Sequence, residues 1–145
     1  ALLQQDGRAT NAEIAGQVNL SPSACLRRIQ RLEAAGVIRG YAALVDPKSV
    51  GLGLQAFVRV QLEKHGQFGL DRFIEGVNSW DEVVACHALT GDMDYLLHVV
   101  VQDLEHFSQF LLDKLINATG VADVNSSFVL RTVKQTRALP LGHLA

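Results

Sequence analysis

Thr10-Asn11-Ala12-Glu13-Ile14-Ala15-Gly16-Gln17-Val18-Asn19-Leu20-Ser21-Pro22-Ser23-Ala24-Cys25-Leu26-Arg27-Arg28-Ile29-Gln30-Arg31-Leu32-Glu33 decides the reading of the first third of the chain. Thr10 to Glu13 is a capping box: the Thr10 hydroxyl accepts from the Glu13 N–H, and the Glu13 carboxylate reaches back to the Thr10 N–H. Ala12, Ile14, Ala15 and Val18 then line one side of a helix of about two turns. Asn19-Leu20 stop it. Ser21 caps a second helix, and Pro22 is free of cost at its first position because that N–H has no helical partner. This helix runs to Ala35, with Gly36 placed to end it in a left-handed conformation.

At 100° per residue, Cys25, Leu26, Ile29 and Leu32 cluster on one face of the second helix. Ser23, Arg27 and Arg31 lie near the opposite centre, flanked by Ala24, Arg28 and Gln30. A short helix, a turn of about four residues and a second helix with a small, cationic outer face form a helix-turn-helix. The first residues of such a second helix enter the major groove of double-stranded DNA, where Arg pairs with a guanine edge and other cations grip phosphates. The candidate DNA-binding residues are Ser21, Ser23, Ala24, Arg27, Arg28 and Arg31. The plainer alternative is a solvated basic face on an ordinary helix.

Downstream, Val37 to Val45 is an extended segment broken by Gly40, either a wing or a linker strand. Asp46-Pro47-Lys48 is a turn, and Gly51 and Gly53 make a hinge. From residue 54 the apolar period switches to two. Leu54, Ala56, Val58, Val60 and Leu62 alternate with Gln55, Phe57, Arg59, Gln61 and Glu63, the pattern of a half-buried strand. Leu70, Phe73, Ile74 and Val77 have helical spacing. Glu82–Leu89 and Tyr95–Val101 read as strands joined by the hairpin loop Thr90-Gly91-Asp92-Met93-Asp94. Leu104, Phe107, Leu111 and Leu115, with Phe110, mark another helix, and Val124–Val133 a last strand. The order βαββαβ is ferredoxin-like, an antiparallel sheet with both helices on one face. Phe57, with Leu96 or Tyr95, points to a partner on the other face. The expected architecture is α+β: a (winged) helix-turn-helix domain over 1–45, a linker over 46–53, a ferredoxin-like sandwich over 54–137 and a tail over 138–145.

Composition narrows the classes. The 145 residues are 48% hydrophobic and 19% charged, which excludes a disordered chain. No apolar run reaches the ~18 residues of a spanning helix, so no membrane association is expected. The start has neither a basic region nor a cleavage signal, and Cys25 and Cys86 are too few for a disulfide or zinc scaffold, so a cytoplasmic location is expected. The chain begins without Met, which points to a missing N-terminal piece. A net charge of −2 argues against nucleic acid only as an average. Residues 1–50 carry six Lys/Arg against four acids, and the remaining 95 carry seven against eleven. That split fits a cationic reading head and an acidic body.

Ser21 to Glu33, followed by Gly36-Val37-Ile38-Arg39-Gly40-Tyr41, resembles the DNA-binding half of the Lrp/AsnC (feast/famine) transcriptional regulators. Ala85-Cys86-His87, Thr90-Gly91-Asp92-Met93-Asp94-Tyr95-Leu96-Leu97 and Val129-Leu130-Arg131-Thr132-Val133-Lys134 are similar to that family's ligand-sensing half. The resemblance runs in order from about Gln5 to Gln135. It implies a complete first helix ahead of Asp6-Gly7-Arg8, of which Ala1–Gln5 is present. It further implies a homodimer paired through its sheets, dimers assembled into an octamer, and a small amino-acid effector bound between sensing domains. By position the effector residues would be Thr90, Gly91, Asp92 and Asp94 of the loop, with Leu104, Ser127, Phe128 and Val129. Free N–H groups around Gly91 suit a carboxylate and an aspartate suits an ammonium, although Asp92 and Asp94 also fit simple turn chemistry.

Catalytic and cofactor signatures are absent: no G-x-G-x-x-G, P-loop, H-E-x-x-H or C-x-x-C occurs. Asp92-x-Asp94 lacks a third acid for a metal, and Cys86 and His87 point to opposite faces of a strand. His98 reads as a satisfied core or interface histidine, and Cys25 as a small buried hydrophobe. The expected function is a DNA-binding transcriptional regulator that responds to an amino acid, with no enzyme activity, cofactor or metal. The alternatives are a ligand-independent architectural DNA-binding protein and, less well supported, a small enzyme on the ferredoxin-like domain.

Overall fold

The computed structural model describes residues 1–63 and 67–144. Lys64, His65 and Gly66 of the expected sandwich and Ala145 of the expected tail lie outside the described residues. The chain forms two units, one of Ala1–Leu44 with Val133–Ala145 and one of Val45–Thr132.

The first unit contains α1 (Leu2–Gln5), α2 (Asn11–Gln17) and α3 (Pro22–Ala34). Its core is small. Ile14, Ala15 and Cys25 are buried, and Leu2, Leu3, Ala9, Leu20 and Ile29 pack around them. Leu26 and Leu32, expected on the buried face with Cys25 and Ile29, are instead 46% and 42% exposed. The reason is length: two-turn α2 covers only the N-terminal half of α3, and Leu26 lies about 100° from Cys25. The segment from Val37 to Val45 forms no strand, as wing or as linker. It finds no ladder partner among the described residues, and its Tyr41 hydroxyl donates to Glu33 Oε1 at 2.9 Å.

In the second unit, β1 (Leu54–Leu62), β2 (Val83–Ala88), β3 (Tyr95–Val101) and β4 (Val121–Phe128) form one antiparallel sheet of order β2-β3-β1-β4. Between strands run α4 (Gln67–Ser79) and α5 (Leu104–Gln109), the latter continuing as a π-helical segment over Phe110–Leu115. Ala56, Val58 and Val60 of β1 are fully buried with Leu97, Val99 and Val101 of β3, beneath Phe73, Phe107, Phe110 and Leu115 from the helices. Ile74 and Leu104, counted into the helical patterns, are exposed. The wider π turn lets Phe107, Phe110 and Leu115 share the core side while Leu112 and Ile116 face outward. Tyr95 packs inward against Phe73 at 5.1 Å between rings, so Leu96 is the outward residue of that pair.

The last strand is earlier than the expected Val124–Val133. β4 pairs with β1 from Val121↔Leu62 to Ala56↔Phe128, and Val129 N–H donates one more bond to the Gln55 carbonyl at 2.9 Å. There β1 runs out. Gly53 N–H turns to the Gln102 carbonyl at 3.2 Å, so Leu130 and Val133 have no neighbouring strand and are almost fully exposed. From Val133 the chain groups with the first unit.

Gly120 links α5 to β4 at φ +91°, and a Cβ there would stand 2.9 Å from Gly69 Cα in α4. Both the backbone conformation and the space require glycine. Gly120→Ala is expected to lower stability by ~2 kcal/mol or more, measured by urea unfolding.

Candidate nucleic-acid interface and effector site

The capping box forms as read. Glu13 N–H donates to Thr10 Oγ1 at 3.3 Å, and the Thr10 N–H and hydroxyl donate to Glu13 Oε2 at 2.6 and 2.8 Å. These bonds, the backbone one foremost, hold the Glu13 carboxyl below the usual carboxylate range. α2 and α3 are joined by four residues, Val18 to Ser21. The turn is tight because Asn19 adopts φ +53°, which asparagine tolerates better than most residues, and Leu20 N–H donates to the Ala15 carbonyl at 3.0 Å. Ser21 Oγ accepts from the Ala24 N–H at 3.3 Å and caps α3. Sequence reasoning missed one brace: Asn11 Nδ2 donates to the Pro22 carbonyl at 2.8 Å, fastening the start of α2 to the start of α3.

On this frame Ser21, Ser23, Arg27, Arg28 and Arg31 are exposed, and Ala24 is half-buried. None of the three arginines enters a salt bridge among the described residues. Three unpaired cations and small residues thus share the outer side of a capped, braced helix, the arrangement that lets an N-terminal helical turn approach base edges.

The eight effector candidates fall into two groups. Thr90, Gly91 and Asp92 are exposed in the β2–β3 loop, with Gly91 at φ +119°. The N–H groups of Gly91, Asp92 and Met93 have no protein partner among the described residues. Asp94 is committed: Oδ2 accepts from the Leu62 N–H at 2.7 Å, its own N–H donates to the Val60 carbonyl, and its carbonyl accepts from Leu89. The second group lies at the other end of the sheet. Leu104 opens α5 just past Val101, and Ser127 stands beside Phe57. Phe128 meets Phe107 edge-on at 5.0 Å, and Val129 pairs with Gln55. The length of β3 separates the two groups, about 20 Å at 3.4 Å per residue. Hollows of about 160 Å³ beside Gly69 and Gly120 and about 420 Å³ beside Trp80 and Cys86 include none of the eight.

The sheet face opposite the helices carries Gln55, Phe57 and Arg59 of β1, Leu96 and His98 of β3, and Asn125 and Ser127 of β4. The Phe57 and His98 rings stack at 4.7 Å, His98 Nε2 lies 3.1 Å from Gln55 Oε1, and Arg59 Nη2 donates to Asn125 Oδ1 at 3.0 Å. His98 is therefore satisfied and half-buried. Among the described residues no group of three His, Cys, Asp or Glu is gathered, and no helix is long and apolar enough to cross a membrane.

Comparison with known proteins matches both units. Residues 1–39 fit the winged helix-turn-helix DNA-binding family, and residues 55–139 fit the Lrp/AsnC ligand-binding domain. The chain is 40% identical over 140 residues to the glutamate uptake regulatory protein of Zymomonas mobilis, covering 97% of this chain and 85% of that one. It is 37% identical over 141 residues to the DNA-binding transcriptional activator DecR of Escherichia coli, covering 97% and 93%. Among solved structures, a transcriptional regulator of Neisseria meningitidis in complex with L-methionine superposes with a TM-score of 0.96 at 51% identity, covering 99% and 93%. The feast or famine regulatory protein of Mycobacterium tuberculosis complexed with L-methionine gives 0.82 at 32%, covering 95% and 91%. A DNA-reading helix-turn-helix joined to a ligand-binding domain defines a transcriptional regulator rather than an enzyme. The chain belongs to the Lrp/AsnC family of transcriptional regulators.

Two predictions separate the roles of these residues. Asp94→Ala orphans the Leu62 N–H and is expected to cost ~1 kcal/mol in urea unfolding, whereas Asp92→Ala leaves stability unchanged. Burial depresses the His98 imidazole below its ordinary 6.5. The stability this group contributes is present above 6.5 and is lost as pH falls through the lower folded value. Thermal unfolding on either side of 6.5 checks this, and His98→Phe removes that part of the slope.

Proposed function

We propose that this regulator reads double-stranded DNA through Ser21, Ser23, Ala24, Arg27, Arg28 and Arg31 as a homodimer. Its assembly, up to an octamer of four dimers, and its DNA affinity respond to a small amino acid in the cytoplasm. The observation that carries the reading is the separation of the effector candidates. An amino acid is too small to span the ~20 Å between the Gly91 loop and the Leu104–Phe128 group of one chain. A site using both groups needs two copies, the loop from one and the Leu104, Ser127, Phe128 and Val129 surface from another. A ligand so placed binds one assembly better than another, which is the requirement for coupling binding to assembly.

The chemistry is consistent with this division. The free N–H groups of Gly91, Asp92 and Met93 suit a carboxylate, and Asp92 suits an ammonium. Asp94 sets the loop in place. Leu104 and Phe128 offer apolar surface to a side chain, and the L-methionine complexes of two relatives make methionine the first amino acid to test. The open sheet face with Phe57, Leu96 and His98 is the surface on which two copies pair.

Titration calorimetry against the twenty amino acids, with light scattering of the same samples, tests the proposal. One apolar amino acid is expected to bind and to change the molar mass, and Asp92→Asn is expected to weaken it at least tenfold without loss of stability. If none of the twenty binds, the regulator is a ligand-independent architectural protein. On the DNA side, Arg27→Ala is expected to cost ~1–3 kcal/mol and relax specificity at one base position. A loss equal across all sequences would make Arg27 a phosphate contact. Wild-type affinity is expected to fall steeply with salt, measured by fluorescence anisotropy.

A further inference from the structure

The polypeptide beyond Val133 groups with the DNA-reading unit, not with the strand it leaves. The Gln4 side chain of α1 holds it there. Leu139 N–H donates to Gln4 Oε1 at 2.7 Å, and Gln4 Nε2 donates to the Leu139 carbonyl at 3.3 Å. A side-chain amide thus closes a two-bond ring with the N–H and C=O of one residue, the pairing that a neighbouring strand would supply. On one side the Ala138 N–H donates to Thr136 Oγ1 at 3.1 Å, and on the other the Leu144 N–H donates to the Leu141 carbonyl at 3.0 Å. The tail is therefore tied to α1 through Leu139 and turned by its own local bonds, with little apolar burial, since Leu139 and Leu144 are about 70% exposed.

Its charge is one-sided. From Val124 to Ala145 there is no acidic residue. Residues 1–44 hold five Lys/Arg against three acids, and Lys134 and Arg137 raise the unit to seven against three, a net charge of +4 instead of +2. The other unit, 45–132, holds six against twelve. Lys134 and Arg137 are exposed and enter no salt bridge among the described residues. The tail therefore doubles the net positive charge of the reading unit and presents it to solvent.

We infer that the tail is a second nucleic-acid contact: Lys134 and Arg137, anchored on the reading unit by the Gln4–Leu139 pair, bind the phosphate backbone of the duplex whose bases α3 reads. Long flexible cations on an extended segment follow a backbone but carry no base code, so the tail adds affinity equally to all sequences. Each phosphate it neutralises releases counterions and steepens the salt dependence by about 0.9. Held to α1 through Leu139, the two charges stay on the reading unit and need less ordering on binding than a free tail would.

The test is fluorescence anisotropy of the full chain on a mixed-sequence duplex of about four helical turns, titrated over a range of salt. Lys134→Ala with Arg137→Ala is expected to weaken binding about tenfold near 0.1 M salt and to reduce the slope of log K against log salt by about 1–2 per bound protomer. The exchange Lys134→Arg with Arg137→Lys is expected to keep the wild-type slope. Gln4→Ala, which retains every charge but frees the tail, is expected to weaken binding by a smaller factor. An unchanged slope in the double alanine variant, while Arg27→Ala still weakens binding, overturns the tail contact and leaves the role of α3 intact. A loss confined to one sequence also overturns it. So does a loss accompanied by lower thermal stability or lower molar mass in light scattering.

Discussion

One-sided burial of β1 is the constraint on which the second unit depends. β1 lies between β3 and β4, and three alternate residues, Ala56, Val58 and Val60, are fully removed from solvent. Burying each valine contributes ~1.5–3 kcal/mol, and a shift of one residue would place Phe57 and Arg59 in the core instead. The register of both neighbouring strands is thereby set. It carries Asp94 to the end of β1, where its carboxylate takes the Leu62 N–H, and carries Val129 to the other end, beside Gln55. The two groups of effector candidates stand apart because one strand measures the distance between them.

Placing both helices on one face of the sheet leaves the other face to its own residues. Phe57 on His98, His98 on Gln55 and Arg59 on Asn125 satisfy that face locally without covering it. Phe57 stays largely exposed there among polar neighbours instead of joining the core. The first unit meets the opposite problem. Its core has three buried residues, so its geometry rests on polar fastenings: the Thr10–Glu13 box, the Asn11–Pro22 brace, the Ser21 cap and the Gln4–Leu139 pair. Such bonds orient α3 without enclosing it, and its arginines remain in solvent.

Much of this was legible in local signals. The capping box, the Ser21-Pro22 start, the Gly36 stop and the alternation of β1 are rules that act within a few residues, and each is realised where it was read. The readings that failed concern length and neighbours. Leu26 and Leu32 have the right period for a core, but Leu26 lies about 100° round from Cys25 and Leu32 beyond the reach of a two-turn α2. Leu130 to Val133 continues the strand-like composition but has no strand beside it once β1 ends. Leu104 opens a helix on the right beat, yet it stands exposed at the first helical position while Phe107, Phe110 and Leu115 take the core side.

The candidate site divides in the same way. Residue types marked Arg27, Arg28 and Arg31 as an outward cationic face and Thr90–Asp94 as a hairpin loop, and the family resemblance singled out that loop for the effector. Assignment of Asp94 to the loop's own support, and of Asp92 to solvent, needed the register of β1 against β3. The attachment of the tail to α1 needed Gln4 and Leu139, 135 residues apart, to meet. Periodicity and caps are written in neighbouring residues, because backbone geometry repeats every two or 3.6 positions. Which strand a residue faces, and which of two aspartates is left free, depends on chain segments far away in sequence, so only the folded structure decides it.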